Sequence, residues 1–279
     1  MSLVSHTPAA QTEVLLNARF SVRYGSKPAV LREVQLEIRR GEVLGLIGQS
    51  GSGKSTLAMS ILGLLDRKRT QLEGEILFQD SNLLRLSERE LRALRGRAIS
   101  LVLQSPLTSL NPALKIRTQL KEAWRAHAMA EGCDSAIQRC MQSVSLPATA
   151  DFLRKYPSQM SVGQAQRVLI AMAVMHQPAL LIADEATSAL DVITQSEILN
   201  LFRQLNRSSG MSILYISHDL ASVAGICDRI AILHEGAILE CASTETIFSS
   251  PQHEYTRRLI SAMPQVPGSS IRAEAARAH

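Results

Sequence analysis

Nine residues, GQSGSGKST at positions 48–56, constrain this chain more than any other stretch. They satisfy G-x-x-x-x-G-K-[ST] in full, after the apolar run GEVLGLIG and before the helical pattern STLAMSILGLL. Glycines in such a turn let successive backbone N–H groups converge on phosphate. The helix start behind it adds a partial positive charge. Gly48, Ser50, Gly51, Ser52, Gly53, Lys54, Ser55 and Thr56 are therefore candidate nucleotide contacts. Lys54 would reach the β/γ-phosphates, and the Ser55 hydroxyl would ligate Mg²⁺. A plain Gly/Ser-rich turn would need neither the strand before nor the helix after.

Composition narrows the frame around this loop. The 279 residues are 46% hydrophobic but only 4% aromatic, so the core must be aliphatic, which favours an α/β protein over a β-sandwich. A net charge of +5 is weak evidence for a polyanionic partner. Cys133, Cys140, Cys227 and Cys241 form no C-x-x-C pair, so ordinary thiols of a reducing compartment are expected. The opening MSLVSHTPAAQTE lacks the apolar core of a secretory signal, and no run of about 18 apolar residues exists. Neither export nor a membrane span is expected.

Along the chain, VLLNARFSVRYG and AVLREVQLEI read as strands of an antiparallel region. GEILFQD reads as a further strand, and SERELRALRGR as a helix with a Ser87–Glu90 capping box. Residues 106–177 are helical in pattern and predict a helical insertion. Strands return at ALLIADE and SILYISHD, flanking a helix with Ile198, Leu201, Phe202 and Leu205 on one face. RIAILHEG and AILEC predict a final hairpin. Residues 1–13 and 265–279 read as tails around one domain spanning 14–264. Strand–helix–strand order around a helical insertion predicts a mostly parallel sheet with a second lobe.

LLIADE places Asp184 and Glu185 at the end of an apolar strand, where both emerge at the sheet's carboxyl edge. Asp184 can hold Mg²⁺ through water, and Glu185 can act as general base for the attacking water. Two adjacent acids at a strand end otherwise form a solvated turn; the phosphate loop upstream favours the catalytic reading.

Together these motifs resemble the ATP-binding-cassette (ABC) ATPases, over nearly the whole chain and in the right order. The resemblance implies a P-loop NTPase fold with a mostly parallel central sheet, an N-terminal antiparallel β region and a helical subdomain. It implies ATP and Mg²⁺ as ligands. It makes Gln104 in ISLVLQSP a Mg²⁺ and water ligand that also senses a membrane partner. His218 in YISHD becomes the switch histidine at the γ-phosphate, and Tyr24 the aromatic that stacks on adenine. SALD, with Asp191, matches a loop that crosses a dimer interface. Taken singly, Gln104 is a strand-end amide, His218 a satisfied surface or core histidine, and Tyr24 a strand aromatic.

Within that family SPLTSLNP, LSERELRALRGRAIS, IADEATSALDV and SPQHEYTRRLISAMP are similar to the peptide and nickel uptake branch. The branch implies a second related ATPase subunit, with a homodimer as the alternative, two membrane permeases, indirectly a substrate-binding protein, and no nucleic acid. It implies peripheral placement on the cytoplasmic face of the inner membrane. No cysteine follows Cys241, so no iron–sulfur cluster is expected. Accessory service in a soluble enzyme complex stays open, as does a soluble ABC ATPase of repair or translation. The latter would carry a long coiled-coil insertion or tandem cassettes, and the sequence shows neither.

QMSVGQAQR is similar to the family signature L-S-G-G-Q, which contacts ATP held by the other subunit. Ser161, Gly163 and Gln164 match; Val162 replaces the first glycine, Ser105 an acid common beside the glutamine, and Ala186 a frequent proline. If the loop needs φ > 0 at Val162, strain of about 1–3 kcal/mol is expected there. The partner's ATP site would then be the weaker one, and Val162→Gly would raise its turnover.

Overall fold

The computed structural model describes residues 13–127, 132–188 and 190–263. The tails read at 1–13 and 265–279 lie outside the described residues, Glu13 excepted. In chain order come β1 (Val14–Tyr24), β2 (Ala29–Arg39), β3 (Val43–Ile47), α1 (Lys54–Ile61), β4 (Thr70–Phe78), β5 (Ser81–Asn82), α2 (Glu88–Leu94) and β6 (Ile99–Val102). The helices α3 (Pro106–Ser109), α4 (Ile116–Ala126), α5 (Cys133–Ser143), α6 (Ala150–Leu153) and α7 (Val162–Val174) follow. β7 (Leu180–Asp184), α8 (Val192–Ser209), β8 (Ser212–Ser217), α9 (Leu220–Ile226), β9 (Arg229–His234), β10 (Ala237–Ser243), α10 (Thr244–Ser249) and α11 (Glu254–Ser261) complete the described chain.

The first two strands pair antiparallel, and β1 also takes β4 as a neighbour, in the sheet order β2-β1-β4-β5. The strand read at GEILFQD thus joins the N-terminal hairpin from beyond the phosphate loop, because Ile76 and Phe78 find their burial there. The second sheet runs β10-β9-β3-β8-β7-β6, parallel throughout except for the terminal β9–β10 hairpin. Its inner strands β3, β7 and β8 are buried at every residue, as parallel strands covered on both faces must be.

Alternation along those strands feeds two cores. Val43, Ile47, Leu181, Ala183, Ile213 and Tyr215 point toward the side packed by α7, α8 and α9. Leu44, Leu46, Leu180, Ile182, Leu214 and Ile216 point toward α1 and the antiparallel sheet. Each large side chain so buried contributes roughly 1.5–3 kcal/mol. On α8 the buried residues are Ile198, Leu201, Phe202 and Leu205, the face its periodicity predicts.

Register aligns the carboxyl ends of four neighbouring parallel strands. Ile47 pairs with Ser217, Ile216 with Asp184, and Ala183 with Val102. Whatever follows β3, β8, β7 and β6 therefore lies along one sheet edge, the usual place for a ligand in such sheets.

Candidate nucleotide site at the carboxyl edge of the parallel sheet

The phosphate loop leaves β3 and enters α1 at Gly53, the N-cap, with φ 108°. A side chain there would be strained, and its Cβ would lie 2.6 Å from Leu31 Cδ2, so both backbone and packing demand glycine. The loop is braced from outside by the β9–β10 turn, where Gly236 N donates to Ser52 O at 3.1 Å. Ser50, Gly51 and Ser55 are exposed on the loop, Thr56 is half-buried, and Ser52 is buried with its hydroxyl unpartnered in the protein.

Lys54 is buried and folds back over the loop, its Nζ donating to Gly48 O at 2.7 Å and Gln49 O at 3.1 Å. Glu185 lies just past β7, where it adopts a left-handed backbone at φ 49°. Glu185 N donates to Ile216 O at 2.9 Å, so the sheet itself holds this conformation. Such a residue costs of order 1–3 kcal/mol and persists where the surroundings over-determine it. Its Oε1 lies 3.8 Å from Lys54 Nζ and 3.5 Å from His218 Nδ1. One carboxylate oxygen therefore faces two basic side chains drawn from different strand ends.

Asp184, the last residue of β7, is buried, and its Oδ1 has no hydrogen-bond partner in the protein. Burial pushes its carboxyl above the ordinary value of 3.8, the Ser55 hydroxyl and the Lys54 ammonium oppose this, and the Glu185 charge adds to it. A buried carboxylate oxygen without a donor, beside a serine hydroxyl, is a donor set suited to a hard divalent cation. Asp184 and Ser55 thus fit Mg²⁺.

The remaining candidates are carried by other elements. Gln104 lies two residues beyond β6 on the same edge, with its side chain exposed. Tyr24 ends β1, half-buried, on the hairpin whose second strand presses Leu31 against the phosphate loop. The signature stretch lies at the start of α7. Ser161 is its N-cap, its hydroxyl accepting from Gln164 N and the Gln164 Oε1 accepting from Ser161 N, both at 3.2 Å. Asp191 is the N-cap of α8. Its Oδ1 accepts from Ile193 N at 3.1 Å and Thr194 N at 3.0 Å, while its Oδ2 accepts from Thr194 Oγ1 at 2.6 Å.

The strain allowed for at Val162 is absent. Val162 is the first residue of α7 and is not among the positive-φ residues of the described chain. A helical first-turn position accepts a β-branched side chain, so its only remaining effect is bulk, 38% exposed. Thr194 was not a candidate from sequence. A Cβ on Gly163 would lie 2.7 Å from Thr194 Cγ2, and no local pattern announces that contact between α7 and α8.

With this geometry in place, likeness to known proteins is informative. The ABC transporter family model matches residues 31–188. The chain is 39% identical to the dipeptide transport ATP-binding protein of Bacillus subtilis (strain 168), over 87% of this chain and 73% of that one. It is 37% identical to the oligopeptide transport ATP-binding protein of Lactococcus lactis subsp. cremoris (strain SK11), over 86% of this chain and 72% of that one. Among solved structures, a dimeric ATP-binding cassette in a post-hydrolysis state with ADP and Pi superposes at a TM-score of 0.70. Its identity is 27%, over 83% of this chain and 98% of the cassette. The family match spans both the phosphate loop and the Asp184–Glu185 pair, and this chain belongs to the ABC transporter family as an ATP-hydrolysing cassette.

Proposed function

We propose that this chain energises the import of peptides by hydrolysing ATP on the cytoplasmic face of a membrane, bound to a pair of permeases. The observation that carries the chemistry is the convergence of Lys54 and His218 on Glu185 Oε1 beside the unpartnered Asp184 Oδ1. The cargo class rests on the relatives, whose names are those of dipeptide and oligopeptide transport proteins. Nickel, the other cargo of the branch, has no such support.

In this reading the Gly48–Thr56 backbone and Lys54 bind the phosphates, and Tyr24 stacks on the base. Asp184 and Ser55, with Gln104 from the same sheet edge, would hold Mg²⁺, which neutralises phosphate charge when bound. Glu185 Oε1 takes the proton of the attacking water, and His218 contacts the γ-phosphate. Lys54 would leave Gly48 O and Gln49 O for phosphate oxygens, a stronger charge-assisted partner. Ser161, Gly163, Gln164 and Asp191, at the starts of α7 and α8, serve ATP held by a second cassette.

No helix among the described residues is long and apolar enough to cross a membrane. Leu103 and Leu107, 41% and 47% exposed, flank Gln104. Beside them a cleft of about 390 Å³ is lined by Leu103, Ser109, Leu169, Met172 and His176. It offers an apolar seat for a permease helix next to the glutamine.

The test is purification from membranes, followed by reconstitution in liposomes with the co-purifying permeases and binding protein. ATP-dependent uptake of a labelled di- or oligopeptide is expected. Co-purification with soluble enzymes alone, or uptake of Ni²⁺ instead of peptide, would overturn the reading.

A further inference from the structure

Gly163 is the second residue of α7, and helical backbone accepts any L residue. Replacing a helical glycine by alanine ordinarily stabilises a helix, so the backbone gives no reason for glycine at 163. The neighbour does. An added Cβ would lie 2.7 Å from Thr194 Cγ2, a distance that folded proteins do not tolerate. Thr194 cannot swing aside cheaply. Its side chain is branched at Cβ and stiff at χ1, and its Oγ1 is held by Asp191 Oδ2 at 2.6 Å. Rotation would break the bond that, with two backbone N–H groups, makes Asp191 the cap of α8.

We infer that Thr194 is a positioning residue for ATP hydrolysis: it seats the first turn of α7 on the Asp191 cap of α8, and Gly163 is glycine to admit its methyl group. The inference rests on the reading that the Ser161 loop serves a partner's ATP, and it assigns a different reason to the glycine. The demand for glycine comes from inside the chain rather than from close approach of phosphate. The same geometry explains why the adjacent position accepts valine. Val162, one residue earlier, is exposed and unstrained, and no such neighbour constrains it to glycine.

A rescue experiment separates the two reasons. Thr194→Ser keeps the hydroxyl for Asp191 and deletes the methyl that an alanine at 163 would meet. Full-length Gly163→Ala, Thr194→Ser and the double variant are compared in the assembled transporter for kcat, and alone for binding of a fluorescent ATP analogue and for Tm. Gly163→Ala should lower kcat by about tenfold to a hundredfold, the scale of a misplaced contact group. Its nucleotide affinity, set by its own phosphate loop, should stay within about twofold, and the double variant should return to within about threefold of Thr194→Ser. A double variant as impaired as Gly163→Ala would overturn the inference in favour of phosphate approach. So would a Gly163→Ala that keeps full kcat, or one that loses Tm and affinity along with kcat. Ser161→Ala is the control for the underlying reading: unchanged kcat there would sink the signature assignment itself.

Discussion

Glu185 and Asp184 are neighbours with opposite environments, and each carries its own prediction. Glu185 is held in a left-handed conformation with Oε1 between Lys54 and His218. Glu185→Gln keeps the size of the side chain but removes the proposed proton acceptor. It should lower kcat by about a hundredfold or more while leaving nucleotide binding intact, read by steady-state ATPase and a binding titration. Asp184 is buried, and its carboxyl is raised above 3.8 chiefly by that burial. A carboxyl raised in the folded state binds its proton more tightly there than when unfolded. The resulting penalty is absent at pH values below 3.8 and grows as pH rises through the folded value. Asp184→Asn should therefore raise the Tm of the nucleotide-free chain at pH 8, with the gain shrinking toward pH 4 in a melting series. The same variant should lose the added stability that Mg²⁺ with ATP gives the wild type. A larger gain at pH 4 than at pH 8 would contradict the burial assignment. At this scale the residue types were legible, because acids after an apolar strand downstream of a phosphate loop have few other uses. The unpartnered Oδ1 and the positive φ were not, since both depend on what the sheet places around them.

Helix α7 shows one element doing two jobs with one residue. Ser161 caps it through a reciprocal pair with Gln164, and in the proposed function the same hydroxyl reaches a partner's phosphate. Aspartate is as good an N-cap as serine and complements the helix dipole, but it repels phosphate. Ser161→Asp should keep Tm within about 2 °C of wild type while kcat of the assembled transporter falls by at least about tenfold. Ser161→Ala should instead cost about 1 kcal/mol of stability as well. A Ser161→Asp chain with full ATPase would leave the serine as a cap only. The capping box at Ser87 and the buried face of α8 were readable because they are set by spacing within one helix. The contact of Gly163 with Thr194 was not, because it joins two helices about thirty residues apart in sequence.

Across the whole molecule, the two sheets and the C-terminal hairpin are tied by Glu42 and Arg229. Glu42 is buried between β2 and β3; it accepts from Arg229 Nη1 at 2.9 Å and from Arg39 N at 2.7 Å. Removing one partner of such a pair leaves the other charge uncompensated. Glu42→Ala should destabilise the chain by about 3 kcal/mol in urea unfolding, whereas a surface pair such as Arg154–Asp151 should contribute less than about 1 kcal/mol. Near-equal values for the two would refute the role given to the pair. The sequence by itself determined the phosphate loop, the order of strands and helices, the helical run between residues 106 and 177, and the Asp184–Glu185 pair that closes an apolar strand. Each of these is written in a local period or motif, within a few turns of the chain. Only the tertiary structure decided which strands became neighbours, and therefore that Lys54, Asp184, Glu185 and His218 share one edge. It alone decided that Val162 is unstrained and that Thr194 demands a glycine opposite it. Strand order and helix contact follow from burying two faces of one sheet at once, a condition no short segment of the chain contains.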